Sequence, residues 1–257
     1  MCELFGVNAS RKIPVTDLLR VFYSHSAVHQ SGWGLALEDR TPALFTKEAV
    51  KAADSPRLSE ILEGDIRTAM CIAHIRRATI GVINAENAHP FRCPDVSGRI
   101  WTLAHNGTIF ESEILSPYQY LQKGTTDSER ILLYIVDEIN KSAAERGTYP
   151  EAAARIRIVE NAIRNIVAGN KVNLMISDGD LFYLHINDPG TMHIKELDDG
   201  VIFSTNTLEK TGWTEIPHNR LFVYRNGEQV YAGQSHEHTY IHDEEKMRIL
   251  FFAYAGL

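Results

Sequence analysis

The stretch "VNLMISDGDLFYLHIN", Val172 to Asn187, constrains the fold more than any other part of the chain. Two apolar, β-rich runs are each too short for a helix. The Asp-Gly pair between them accepts the positive φ angles of a tight turn, so the runs on either side of Ile176 and Leu181 become neighbouring antiparallel strands. "LFVYRNGEQVYAG" repeats the device with Asn-Gly and joins Tyr224 to Val230. "CELFGVN", "GWGLALE", "MCIAHI", "WTLAHNG" and "VIFST" are further strand-like runs. The sheets are expected to be antiparallel.

Between these strands the apolar spacing changes to the helical period. Ile131, Leu132, Ile135, Val136 and Ile139 predict a helix over 126–142, with Thr126 and Glu129 reading as a capping box. Ala153, Ile156, Ile163 and Ile166 predict a second helix, starting after "TYPE", stopped by "AGN", with its charged face in solvent. Strands, a helix pair, then strands again read as an α+β fold with helices layered on antiparallel sheet. No repeat or low-complexity linker divides the sequence. "DRTPALFTKEAVKAADSPR" and "GQSHEHTYIHDEEK" read as polar loops, so residues 1–257 are expected to form a single domain.

With 257 residues, 44% of them apolar, a full core is available. The excess of 33 acidic over 26 basic residues, a net charge of −7, disfavours phosphate-backbone binding, so nucleic acid is not an expected partner. No leader-like start and no bilayer-length apolar run is present, which predicts a cytoplasmic protein without membrane attachment. Cys2, Cys71 and Cys93 lack CxxC spacing and suggest neither a disulfide framework nor a zinc knuckle.

Cys2 raises the functional question. Once Met1 is removed, Cys2 carries both a thiol and an α-amine whose reference pKa lies near 8, a nucleophile and a base on one residue. Taken alone it also reads as a small buried hydrophobe at a strand start. "AHIRRATIG" brings Arg76 and Arg77 to a strand end beside Thr79 and Gly81, where an arginine fork can clamp a carboxylate or simply face water. "NAHPF", residues 87–91, reads as a turn that supports rather than reacts. "AHNGTI" offers the Asn106 amide and the Gly107 N–H, either as an oxyanion hole or as an ordinary Asn-Gly hairpin turn. Asp127, in the first turn of the predicted helix, either receives a substrate ammonium or improves the helix start. Together these groups describe a pocket for an amino acid whose distal carbonyl is attacked, and glutamine is such a molecule. "HEHTYIHDEE" is read as solvated, with a metal set of His236, His238 and His242 as the alternative.

In order, Cys2, R-x-A-T-x-G at 76–81, N-A-H-P at 87–90, H-N-G at 105–107 and T-D-S-E at 126–129 resemble the class II glutamine amidotransferases of the N-terminal-nucleophile hydrolase superfamily. The resemblance covers residues 2 to 205. The start "MCELFG", the "SGWG" segment at Ser31 to Gly34 and the short chain look most like the stand-alone YafJ-type members. It implies a four-layer αββα sandwich, with Cys2 as nucleophile, Asn106 and Gly107 as oxyanion hole, and Arg76, Thr79 and Asp127 binding substrate. It implies no cofactor and no metal. Arg77 and Ile80 stand where the large synthases carry tryptophan and histidine, so they inherit no role. The expected activity is hydrolysis of the side-chain amide of glutamine or a γ-glutamyl compound. A glutaminase subunit feeding a separate synthase, or a non-catalytic binding protein, are the alternatives. Association into a homo-oligomer is left open.

Overall fold

The computed structural model describes residues 2–77, 82–110 and 112–255. Thr79, Ile80 and Gly81 lie outside them. In chain order the elements are β1 (Glu3–Pro14), α1 (Thr16–Ser24), β2 (Trp33–Leu37), β3 (Leu44–Glu48), α2 (Pro56–Glu63), β4 (Arg67–Ile75), β5 (Phe91–Pro94), β6 (Ile100–Thr108), α3 (Asp127–Arg146), α4 (Ala152–Val167), β7 (Lys171–Ser177), β8 (Phe182–Ile186), β9 (His193–Leu197), β10 (Gly200–Ser204), β11 (Thr214–Glu215), β12 (Arg220–Arg225), β13 (Glu228–Ala232) and α5 (Glu244–Ala255).

Among the described residues these strands form two sheets, ordered β11-β9-β10-β1-β4-β2-β3 and β13-β12-β8-β7-β6-β5, with every pairing antiparallel. The period of two along each strand sends alternate residues to opposite faces. Leu4, Ile72, Ala104, Met175, Phe182 and Phe203 meet between the sheets. Phe5, Val7, Leu35 and Ala73 face the other way, packing with Leu19 and Phe22 of α1 and Leu58 of α2. Leu103, Leu174, Ile176 and Val223 pack with Ile131, Ile135, Ile163 and Ile166 of α3 and α4. The result is a four-layer αββα sandwich, as expected.

Both hairpins form where the turn chemistry puts them. Gly179 has φ +80° between β7 and β8, while Asn226 and Gly227 have φ +52° and +84° between β12 and β13. α3 runs four residues past the expected end, until Gly147 closes it in the left-handed conformation with φ +67°. Three details differ from expectation. Thr126 is the residue before α3 but its hydroxyl caps nothing, and the Glu129 carboxylate instead accepts from the N–H groups of Lys123 and Gly124, at 3.0 and 2.9 Å. The charged face of α4 is not wholly solvated, because Arg155 is buried and its Nε donates to Asp178 at 2.6 Å. The polar stretch at 39–57 holds β3 and the start of α2, capped by Ser55, whose hydroxyl accepts from Leu58 N–H at 3.0 Å.

Candidate active site

The candidate site lies at one end of the sandwich, where several elements begin or stop together. Cys2 precedes β1, Arg76 and Arg77 follow β4, Gly107 and Thr108 close β6, and Asp127 opens α3. Cys2, Arg76, Gly107 and Asp127 line one small cleft of about 50 Å³, joined by Arg77, His89, His105, Thr108, Thr126 and Ser128. Of the expected site residues, Asn106 does not line this cleft, and Thr79 lies outside the described residues.

The thiol is held by one backbone unit. Cys2 Sγ lies 3.4 Å from the Arg77 N–H that donates to it and 3.5 Å from the Arg77 carbonyl it can donate to. Burial pushes the thiol pKa up, while the Arg77 N–H and the charges of Arg76 and Lys171 pull it back. The net shift is upward, so an unassisted thiol stays protonated at neutral pH and a base is needed.

Arg76 is buried, and burial lowers its pKa while Cys2 and Asp127 favour its charge. One of its nitrogens, Nη1, donates to Val82 O at 3.2 Å. The same carbonyl accepts from Asn87 Nδ2 at 2.9 Å, and Asn87 also bonds both the backbone N–H and the hydroxyl of Thr125, two residues before Asp127. Asn87 therefore ties the arginine to the start of α3. Lys47 Nζ secures the loop from the other side by donating to Ala88 O at 2.6 Å, and burial lowers that ammonium to about 8. Gly34 leaves room for the loop, since a Cβ there would lie 2.0 Å from His89 O.

The backbone of β6 carries its own directional information. Successive N–H groups along a strand point to alternate edges, so those of residues 105, 107 and 109 share one side. His105 N–H donates to His89 Nδ1 at 3.2 Å, and Ile109 N–H donates to Asp127 Oδ2 at 2.6 Å. The Gly107 N–H lies between them and points away from β7, on the side of the cleft. Asn106 and Gly107 thus sit inside a strand, paired with Asn173 and Val172, rather than in the expected turn. Glycine is required at 107 for a reason other than ligand approach: a Cβ would lie 2.0 Å from Lys171 O and 2.3 Å from His105 Nε2. Asn106 faces the space between the sheets, as does Ala104, and its buried Nδ2 has no hydrogen-bond partner among the described residues. An orphaned buried donor is costly, and such a donor is suited to a charge that arrives with the reaction.

Buried histidines underpin this end. Carbonyls only accept, so His105 Nε2–H donates to Lys171 O at 3.0 Å. Burial lowers the His105 pKa, and its neutral ring accepts at Nδ1 from the Ser128 hydroxyl at 2.9 Å. His74 and His89 stack with centroids 4.2 Å apart, and burial holds both well below the usual histidine range. Ser128, His89 and Lys171 join the expected site residues here: Ser128 and His89 belong to the T-D-S-E and N-A-H-P motifs, whereas Lys171 has no local signal in the sequence. Among the described residues no group of three or more His, Cys, Asp or Glu is arranged to hold a metal. His236 bonds His185, His238 stacks on His236, and His242 lies 3.3 Å from the Tyr240 hydroxyl.

Comparison with known proteins follows the same line. A putative glutamine amidotransferase of Haemophilus influenzae is 23% identical over 257 residues, covering 90% of this chain and 86% of that one. The putative glutamine amidotransferase YafJ of Escherichia coli is 27% identical over 185 residues, 70% of each chain. Among solved structures, glutamine phosphoribosylpyrophosphate amidotransferase from B. subtilis superposes with TM-score 0.66 at 16% identity over 91% of this chain, which spans 49% of that enzyme's length. The family model described as glutamine amidotransferases class-II matches residues 1–197, and by that match over most of its length this chain belongs to the class II glutamine amidotransferases.

Proposed function

We propose that this protein hydrolyses the side-chain amide of glutamine or of a γ-glutamyl compound through a thioester on Cys2. Family membership supports the coarser statement, an enzyme of glutamine amide chemistry. The finer reading rests chiefly on one observation: a thiol, an arginine, a strand N–H and a helix-start carboxylate line one cleft. In this reading the α-amine of Cys2, freed by removal of Met1, takes the thiol proton directly or through a water. The thiolate attacks the amide carbonyl, and Asn106 Nδ2 and Gly107 N–H receive the oxyanion. Arg76 binds the substrate α-carboxylate, Asp127 binds the α-ammonium, and Thr79 is assigned to substrate binding by the sequence motif. The protonated amine passes its proton to the departing nitrogen, and water cleaves the thioester. The residues 1–257 act as one domain, in the cytoplasm. Among the described residues no helix is long and apolar enough to cross a membrane.

The test is an intact mass spectrum before and after treatment with a glutamine-mimicking diazoketone. Loss of Met1 and a single adduct, absent from Cys2→Ala, are expected. Retained Met1 with no adduct would remove the nucleophile from the reading. A second reading is a glutaminase subunit that supplies ammonia to a separate synthase. It predicts glutaminase activity that rises when the partner is added.

A further inference from the structure

A second cavity opens at the same end of the sandwich. It measures about 490 Å³, against about 50 Å³ for the Cys2 cleft, and Phe110, Asn170, Tyr240, Ile241 and His242 contribute to its walls. Phe110 and Tyr240 supply its aromatic surface, Asp243, Glu244 and Lys246 put charge on its rim, and a volume of a few hundred cubic ångströms suits a small molecule.

The outer wall is the stretch 239–243, part of a segment, 233–243, that has no regular structure yet is firmly tied down. Tyr240 N–H donates to Asn187 O at 2.7 Å, Asn187 Nδ2 donates to His238 O at 3.1 Å, and His236 N–H donates to Asn219 O at 2.9 Å. His185 Nδ1–H donates to Val172 O at 2.6 Å, leaving its Nε2 to accept from His236 Nε2–H at 2.8 Å. These bonds hold the Tyr240 ring nearly parallel to Phe110, at 10° with centroids 6.4 Å apart, and 5.8 Å from Lys171 Nζ.

Cleft and cavity are consecutive along one stretch of chain. Gly107 and Thr108 line the first, Ile109 N–H is held by Asp127, and Phe110 lines the second. Lys171 acts electrostatically on the Cys2 thiol and also lies against Tyr240. We propose that this cavity is a leaving-group subsite, which receives the amine portion of a γ-glutamyl amide larger than glutamine and favours an amine bearing a flat apolar ring. The proposal rests on the amide-hydrolysis reading and adds to it the class of substrate. Free glutamine releases only ammonia, which has no use for such a space. For the larger amide, the C–S bond forms first to give the oxyanion, which then collapses with cleavage of the C–N bond, and the amine leaves with the thiol's proton. Water then converts the thioester to the γ-carboxylate and regenerates the thiol.

The experiment compares γ-glutamyl phenethylamide with γ-glutamyl ethylamide, whose leaving amines differ little in basicity, with glutamine as the reference. Wild-type protein lacking Met1 should favour the phenethylamide over the ethylamide by about tenfold in kcat/KM, in line with burial of one aromatic ring. Tyr240→Ala should erase most of that ratio, mainly through KM, and Tyr240→Phe should keep it. A wild-type ratio near one, or a ratio indifferent to Tyr240→Ala, overturns the subsite; the wild-type comparison stands even where the alanine variant fails to fold. Absence of Cys2-dependent turnover with all three compounds, glutamine included, instead overturns the hydrolysis reading on which the subsite depends.

Discussion

At the scale of single residues, the proposed oxyanion site would draw on the neighbours Asn106 and Gly107 by different means. The Asn106 side chain offers a buried Nδ2 with no partner, and Gly107 offers a backbone N–H whose direction is fixed by the bonds of residues 105 and 109. Removing one such donor costs about 3–4 kcal/mol of barrier, so Asn106→Ala should lower kcat by hundreds-fold while KM for glutamine moves much less. Steady-state kinetics would check this, and near-native turnover would exclude the role. Gly107→Ala should instead disrupt the β6–β7 pairing, because its methyl group would overlap the Lys171 carbonyl. Loss of soluble folded protein, read by circular dichroism, is the expected outcome. The types of both residues were legible in "AHNGTI". Their placement inside a strand was not, since an Asn-Gly pair carries the same local signal in either setting.

Among the elements, the α4 to β7–β8 connection depends on a charge pair that amphipathic spacing hides. Arg155 Nε donates to Asp178 Oδ2, whose side chain is fully buried and also accepts from the Tyr183 hydroxyl at 3.0 Å. Arg155→Ala leaves that buried carboxylate with only the longer pair to Arg99, at 3.6 Å, and urea denaturation should register a loss of about 3 kcal/mol. Lys141→Ala, which removes the half-exposed pairs with Asp137 and Glu138, should cost less than about 1 kcal/mol. Equal effects would contradict this account. The helical period made α3 and α4 plain, while Arg155 looked like one more solvated charge, because only the return of the β7–β8 turn brings Asp178 to it.

For the whole molecule, buried histidines set the response to acid. Burial lowers His185 to about 3, and His74, His89 and His105 shift the same way. A histidine whose folded pKa lies below its unfolded value of about 6.5 is protonated first in the unfolded chain. Its stabilising contribution is therefore complete above pH 6.5 and is lost as pH falls towards the folded value. His185, with its folded value of about 3, should alone cost roughly 2 kcal/mol between pH 7 and pH 5, and the other three act in the same direction. Urea midpoints that stay constant across that range would show that these rings are not kept neutral. The sequence by itself determined the antiparallel hairpins, the helix pair and the residue types of the site, because turn chemistry, apolar period and side-chain functional groups are local properties. Tertiary structure decided that β1, β4, β6 and α3 bring Cys2, Arg76, Gly107 and Asp127 to one end, that Lys171 acts on the thiol, and that Tyr240 walls a cavity beside Phe110. Those relations join residues as far as 169 positions apart, Cys2 and Lys171, and only the packing of the two sheets and the segment 233–243 against them sets such distances.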